Sequence, residues 1–141
     1  MPDPYGLQRF VDAQDSGGTY DVALAELRHG AKRGHWMWFV FPQISGLGRS
    51  PTARHYAISS LGEARAYLAH PVLGPRLREC CEALLTVSGR GADEILGGID
   101  AMKLRSSMTL FLRADPTEPL FQRVLERFFA GRADERTGAL V

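Results

Sequence analysis

The stretch that decides the fold is Gly34-His35-Trp36-Met37-Trp38-Phe39-Val40-Phe41-Pro42-Gln43. Both tryptophans of the chain and two of its seven phenylalanines fall within six of these residues. The run is too short and too aromatic for an amphipathic surface helix, and Pro42 ends it. Periodicity does not separate a buried strand from a buried helical turn over so few residues. The rest of the chain does separate them. Strict period-two alternation is absent elsewhere, so a strand here would have no partner and would leave its ladder unpaired. The segment is therefore expected to be a helical or irregular stretch running through the core of an all-α domain.

Working outward, glycine and proline cut the chain into helix-sized pieces. Tyr5 to Ala13 reads as a first helix with Leu7, Phe10 and Val11 inward, and Thr19 is the expected cap of a second, ended by Gly30. Ser50-Pro51 is a helix start, a capping hydroxyl followed by proline at the first helical position. Ser60 to Glu63 fits a capping box, and the helix it opens ends near His70. Leu73, Leu77, Cys80, Cys81, Leu84 and Leu85 fall at helical spacing, with Gly89 as the expected stop. A short helix is expected at Ala92, where Asp93 and Glu94 suit the dipole. Asp100 is the expected cap of a helix carrying Leu104, Met108, Phe111 and Leu112. A last helix carries Leu120, Val124, Leu125, Phe128 and Phe129, with Gly131 as terminator. The expected fold is one compact multihelical bundle of roughly six to eight short helices spanning residues 1–141.

Composition narrows the function classes. A net charge of +1, with basic and acidic residues interspersed, argues against nucleic acid as a partner. No apolar run approaches the roughly 18 residues a membrane span needs. The polar N-terminus, Met1 to Gln8, does not read as a signal, so a cytoplasmic location is expected. Adjacent cysteines rarely bridge each other, and Cys80 and Cys81 lie in an apolar helical pattern. They read as small buried hydrophobes. No metal-ligand spacing occurs, and neither a metal nor a cofactor is expected.

Chemistry concentrates in two places. Phe39, Val40 and Phe41 read as core. Trp36 and Trp38 each carry an N–H that needs a partner when buried, and burial would keep His35 neutral, able both to donate and to accept. With Gln43, these groups suit a pocket that stacks a flat ring and reads its edge; the alternative is that His35 and both indoles are satisfied core residues. The second place is Ile44-Ser45-Gly46-Leu47-Gly48-Arg49-Ser50-Pro51-Thr52. Gly48, Arg49 and Ser50 would hold an anion at a helix start; the alternative is a loop with an ordinary Ser-Pro cap. It is neither a Walker nor a dinucleotide-binding motif. Downstream, Lys103, Ser106 and Ser107 share a helical face by their spacing. That face is either part of the site or a solvated or close-packed polar surface. His55 and His70 read as surface or capping residues.

Several of these stretches together resemble a known family, the domain of unknown function numbered 1810. They are Arg9-Phe10-Val11, Ala13-Gln14, Ala23-Leu24, Glu26-Leu27-Arg28, His35-Trp36-Met37-Trp38-Phe39 and Phe41-Pro42-Gln43. Further on come Gly46-Leu47-Gly48 with Ser50, Tyr56-Ala57-Ile58, His70-Pro71-Val72-Leu73-Gly74, Lys103-Leu104 and Ser106-Ser107-Met108-Thr109-Leu110-Phe111. The resemblance covers nearly the whole chain and implies a compact multihelical bacterial domain; it brings no established activity. A partial similarity to the NADAR proteins, which act on ADP-ribose derivatives, rests on Phe10 with Ala13-Gln14, Leu84-Leu85 with Gly89, and Asp100 before Lys103-Leu104. That group's Glu-His-x-Phe start and Trp-Gly step have no clean counterpart, so this similarity assigns no catalytic residue.

The expected ligand is a small anionic or nucleotide-like molecule, its ring on His35, Trp36 and Trp38 and its anion on Gly48, Arg49 and Ser50. If chemistry occurs, hydrolysis of a glycosidic or phosphoester bond is expected, with His35 or Asp100 as acid–base. The alternative is a non-catalytic interaction module, the aromatic segment being either a docking patch or core. A pure core role requires both indoles fully buried with no adjoining cavity.

Overall fold

Helical spacing in the sequence becomes ten α-helical segments and one 3-10 turn (Ser16–Gly18) in the computed structural model, which describes residues 2–141; Met1 of the polar N-terminal stretch lies outside them. These are α1 (Gln8–Asp15), α2 (Thr19–His29), α3 (Met37–Val40), α4 (Pro51–His55), α5 (Leu61–Ala69), α6 (Leu73–Thr86), α7 (Ala92–Leu96), α8 (Gly98–Ala114), α9 (Pro119–Phe129) and α10 (Glu135–Leu140). Six run eight residues or more, and the other four are single turns. Among the described residues there is no strand, and an isolated parallel bridge joins Ile44 to Ile58. The domain is all-α. No helix among the described residues is long and apolar enough to cross a membrane.

Local signals explain most boundaries. Ser50 Oγ accepts from Ala53 N at 3.1 Å and Ser60 Oγ from Glu63 N at 3.1 Å, each occupying an amide that α4 or α5 leaves free. The reciprocal half of the box is displaced by one residue: Glu63 Oε1 accepts from Ser59 N, not from Ser60. His70 Nδ1 caps α6, accepting from Val72 N and Leu73 N. Three caps differ from expectation. Gly18, at φ +69°, precedes α2 while Thr19 Oγ1 turns back to Ser16 O; α6 stops at Thr86; and α8 starts at Gly98, placing Asp100 in its first turn.

α8 is the central post, packed against α5, α7, α9 and α10, while α6 packs against α2, α5 and α9. Rings step through the core from α1 to α9: Phe10 to Tyr67 at 5.2 Å, Tyr67 to Phe111 at 5.3 Å, Phe111 to Phe121 at 5.9 Å. A Cβ on Gly74 would stand 2.2 Å from Leu68 O, so α5 and α6 meet this closely because position 74 has no side chain. Cys80 and Cys81 are free and buried, and burial pushes the Cys80 thiol up to about 12.

Candidate functional site

The aromatic segment forms a single turn, α3, between irregular flanks, and two side chains hold it. A one-turn helix leaves its carbonyls without a following turn to bond them. Gln14, buried on α1, supplies a donor: its Nε2 reaches Phe39 O at 2.8 Å, and its Oε1 accepts from Arg76 at 3.2 Å. From α2, Glu26 Oε1 accepts from Arg33 N at 2.8 Å, Gly34 N at 3.0 Å and Trp36 Nε1 at 2.9 Å. Burial works to raise this carboxyl's pKa. The Gly34 and Arg33 amides, the Trp36 indole and the Lys32 charge outweigh it and hold the group below the usual carboxylate range.

The two indoles have opposite fates. Trp36 is 1% exposed and its N–H is taken by Glu26, so it is a structural post rather than a surface for a ligand ring. Trp38 is half-buried and borders open space, which excludes a purely core role for the segment. A chain of charges links them. Lys32 Nζ stands 5.0 Å from the Trp36 ring centre, donates to Gly34 O and pairs with Asp100 Oδ2 at 2.9 Å. Asp100 Oδ1 lies 3.8 Å from Lys103 Nζ, which stands 4.9 Å from the Trp38 ring centre. Asp100 is thus an electrostatic link between two lysines.

Three concavities adjoin in series. The first is a groove of about 340 Å³ lined by His35, Trp38, Leu96, Gly97, Ile99 and Asp100. His35 is exposed, not buried among the indoles as expected. The groove contains the start of α8, where Gly97 offers no capping side chain. The second is a pocket of about 10 Å³, room for one water-sized group, among Trp38, Phe41, Gln43, Gly48, Tyr56 and Lys103. The third is an open depression of about 470 Å³ with Ser45, Gly46, Gly48, Arg49 and Arg54. Trp38 borders the first two and Gly48 the last two, so His35 and Arg49 stand at opposite ends of the row. A Cβ on Gly48 would lie 2.5 Å from that of Ala53, so the turn can lie against α4 because it carries no side chain there. A larger depression of about 600 Å³ on α2, beside Val22, Ala25 and Ala31, shares no residue with this row; its carboxylate, Glu26, already serves the Trp36 anchor.

Of the expected site residues, the structure gathers His35, Trp38 and Asp100 around the groove, and Trp38, Gln43, Gly48 and Lys103 around the pocket. Arg49 lies beyond Gly48. Ser50 is engaged as the α4 cap. Ser106 and Ser107 part company. Ser106 Oγ donates to Asp134 Oδ2 at 2.7 Å, alongside Thr137 Oγ1 at 2.6 Å, in a latch that fastens the start of α10 to α8. Ser107 is fully buried, and its hydroxyl has no partner among the described residues. Among the described residues no group of three or more His, Cys, Asp or Glu could hold a metal.

Sequence reasoning missed the supports. Arg9 uses all five donors: on His55 O, Tyr5 O, Gly6 O, Ala57 O and Glu63 Oε2, at 2.7–3.0 Å, bracing the turn that carries Tyr56. Glu26, Lys32 and Tyr56 were also missed as site-forming residues. Arg9, Gln14 and Glu26 did fall in stretches that carry the family resemblance, the one signal that marked them.

The chain is similar over residues 4–141 to the family described as "Protein of unknown function (DUF1810)". It is also similar to the conserved hypothetical protein Rv1873 from Mycobacterium tuberculosis, whose crystal structure was determined at 1.38 Å. That likeness runs at 53% identity over 99% of this chain and 98% of the other, with a TM-score of 0.95. No curated protein matches. With nearly its whole length matched, the chain belongs to the DUF1810 family.

Proposed function

We propose that the protein binds a small ligand combining a flat ring with an anionic group, in the row of concavities centred on Trp38. One observation carries this: Trp38 is a shared wall of two adjoining spaces, with His35 and Asp100 on one and Gln43, Gly48 and Lys103 on the other. A half-exposed indole offers a stacking surface, and Lys103 over its ring offers charge beside that surface. The uncapped start of α8 adds free amides to the groove. Asp100 is paired with Lys32 at 2.9 Å, so if a hydrolytic step occurs the exposed His35 is the group we assign to exchange a proton with substrate.

Cys80 and Cys81, buried as free thiols, fit a reducing cytoplasm, and the similarity to a mycobacterial protein fits a bacterial source. The partial similarity to NADAR proteins makes ADP-ribose a natural member of a ligand panel. Tryptophan emission is the readout, measured against ADP-ribose, NAD, nucleotides and sugar phosphates. A saturable change that disappears in Trp38→Phe and weakens in His35→Ala supports the site. A flat response across the panel, or one that persists in Trp38→Phe, overturns its nucleotide-like form.

The docking alternative has its own observation. Ile99 and Met102, 76% and 57% exposed, stand beside the groove on one face of α8. Sedimentation tests it: self-association abolished by Ile99→Lys with Met102→Lys would favour an interaction module, and a monomer at all concentrations would remove self-docking.

A further inference from the structure

We propose that the small pocket between Trp38 and Tyr56 is a carboxylate subsite, into which the ligand places one planar carboxylate held by Lys103 and Gln43. This rests on the ligand-binding reading of the row and names the class of ligand it takes.

Unused hydrogen-bonding capacity is the first ground. Among the described residues Lys103 has no acceptor within hydrogen-bond distance: Asp100 Oδ1 is 3.8 Å away, and Asp100's other oxygen is held by Lys32 at 2.9 Å. Gln43 and Tyr56 line the pocket, and neither the carboxamide nor the hydroxyl bonds to a group among the described residues. The side chains of Gln8, Gln14 and Gln122, and the hydroxyls of the buried Tyr20 and Tyr67, all bond to one; the exposed Tyr5 hydroxyl does not.

The kind of group missing follows from the donors present. Lys103 and Gln43 Nε2 offer only N–H, and the Tyr56 hydroxyl can turn a hydrogen toward an acceptor. An ionised carboxylate is acceptor-only and answers this set. Shape favours the flat anion. A space of about 10 Å³ receives one oxygen, which a carboxylate brings in on an edge no thicker than a ring, whereas the bulk of a tetrahedral phosphate suits the open depression of about 470 Å³ by Arg49 and Arg54. Trp38, Phe41 and Tyr56 wall the pocket with rings, which strengthens a charge-assisted hydrogen bond made inside it.

The two indole N–H resonances of the labelled full-length protein test this, assigned with Trp38→Phe. Benzoate, nicotinate, benzamide, benzyl alcohol, phenyl phosphate and AMP are titrated separately. Benzoate and nicotinate are expected to shift the Trp38 signal saturably, and the two neutral compounds to leave it still. The buried Trp36 signal reports that each variant is folded. Lys103→Met, which keeps the apolar stem, is expected to weaken carboxylate binding about tenfold or more, and Gln43→Ala to weaken it less. Undiminished benzoate binding in both folded variants overturns the subsite. A response to phenyl phosphate or AMP with silence from both carboxylates also overturns it and leaves the ring-plus-anion site standing. Silence from every compound at Trp38 overturns both readings.

Discussion

Trp36 and Trp38 are separated by one residue and share one turn of backbone, yet the structure uses them in opposite ways. Trp36 is 1% exposed, hydrogen-bonded to a carboxylate that also gathers two backbone amides, and covered by a buried lysine. Trp38 lies at the boundary of two open spaces. Ser106 and Ser107 repeat the contrast on α8: one hydroxyl is latched to Asp134, the other is buried with nothing to bond. Neighbours of the same type differ in how far the fold has already used them, and the difference is visible in burial and in which polar atoms are satisfied. A polar group whose partners are all internal has little left for a ligand; one placed in a cavity without partners retains its full capacity.

The largest expected effect separates the indoles. Trp36→Ala removes a fully buried ring and leaves Glu26 short of a donor, and should cost about 3–5 kcal/mol in denaturant unfolding. Trp38→Ala should cost about 1 kcal/mol or less, because half its surface is already in water. Equal losses at the two positions would break the contrast.

Next is the latch. Burial works to raise the Asp134 pKa, but hydrogen bonds from Thr137 and Ser106, with Arg136 nearby, hold it below its ordinary value. The folded pKa is depressed, so the stability it contributes is complete above the unfolded value of about 3.9 and is lost as pH falls through the folded one. Asp134→Asn should cost about 2 kcal/mol at neutral pH, and the difference from wild type should shrink below about pH 4. A difference that stays constant through the acid range would mean Asp134 contributes packing rather than charge.

The parts of this arrangement that could be read in the sequence were those written in short spacing. The α4 and α5 caps and the Ala92 helix depend on residues within four or five of one another, where geometry is set by the local backbone; for Gly34 to Gln43 the reading stopped at a helical or irregular stretch, of which Met37–Val40 is the helical part. The absence of any partner strand carried the fold class. What could not be read were contacts across the chain. Glu26 meets Trp36 only after α2 ends and the loop turns back, and Asp100 meets Lys32 across 68 positions. Nothing in the composition around Arg9 announces that its guanidinium will brace the backbone at His55 and Ala57. The misplaced caps have a physical cause as well. Thr19 and Asp100 are good capping residues, but Gly18 and Gly97, at φ +69° and +86°, start their helices earlier, and the side chains turn to other partners.

A smaller effect reads the contrast directly. Acrylamide quenching of tryptophan emission should resolve two populations, with Trp36→Phe leaving only accessible emission and Trp38→Phe only shielded emission. A single quenching constant in the wild type that neither variant alters would mean the two rings are equally exposed.

The smallest expected change in stability is at Ser107, and its sign carries the meaning. Ser106→Ala removes one partner of a satisfied buried pair and should cost about 1–2 kcal/mol. Ser107→Ala removes a hydroxyl that has no partner, so its desolvation cost vanishes with it, and stability should hold or rise by up to about 1 kcal/mol. A residue whose removal leaves the fold as stable or more so is not kept for the fold. If Ser107→Ala instead destabilises the protein as much as Ser106→Ala does, a bound water or a shifted neighbour already satisfies that hydroxyl, and both serines serve the fold alike.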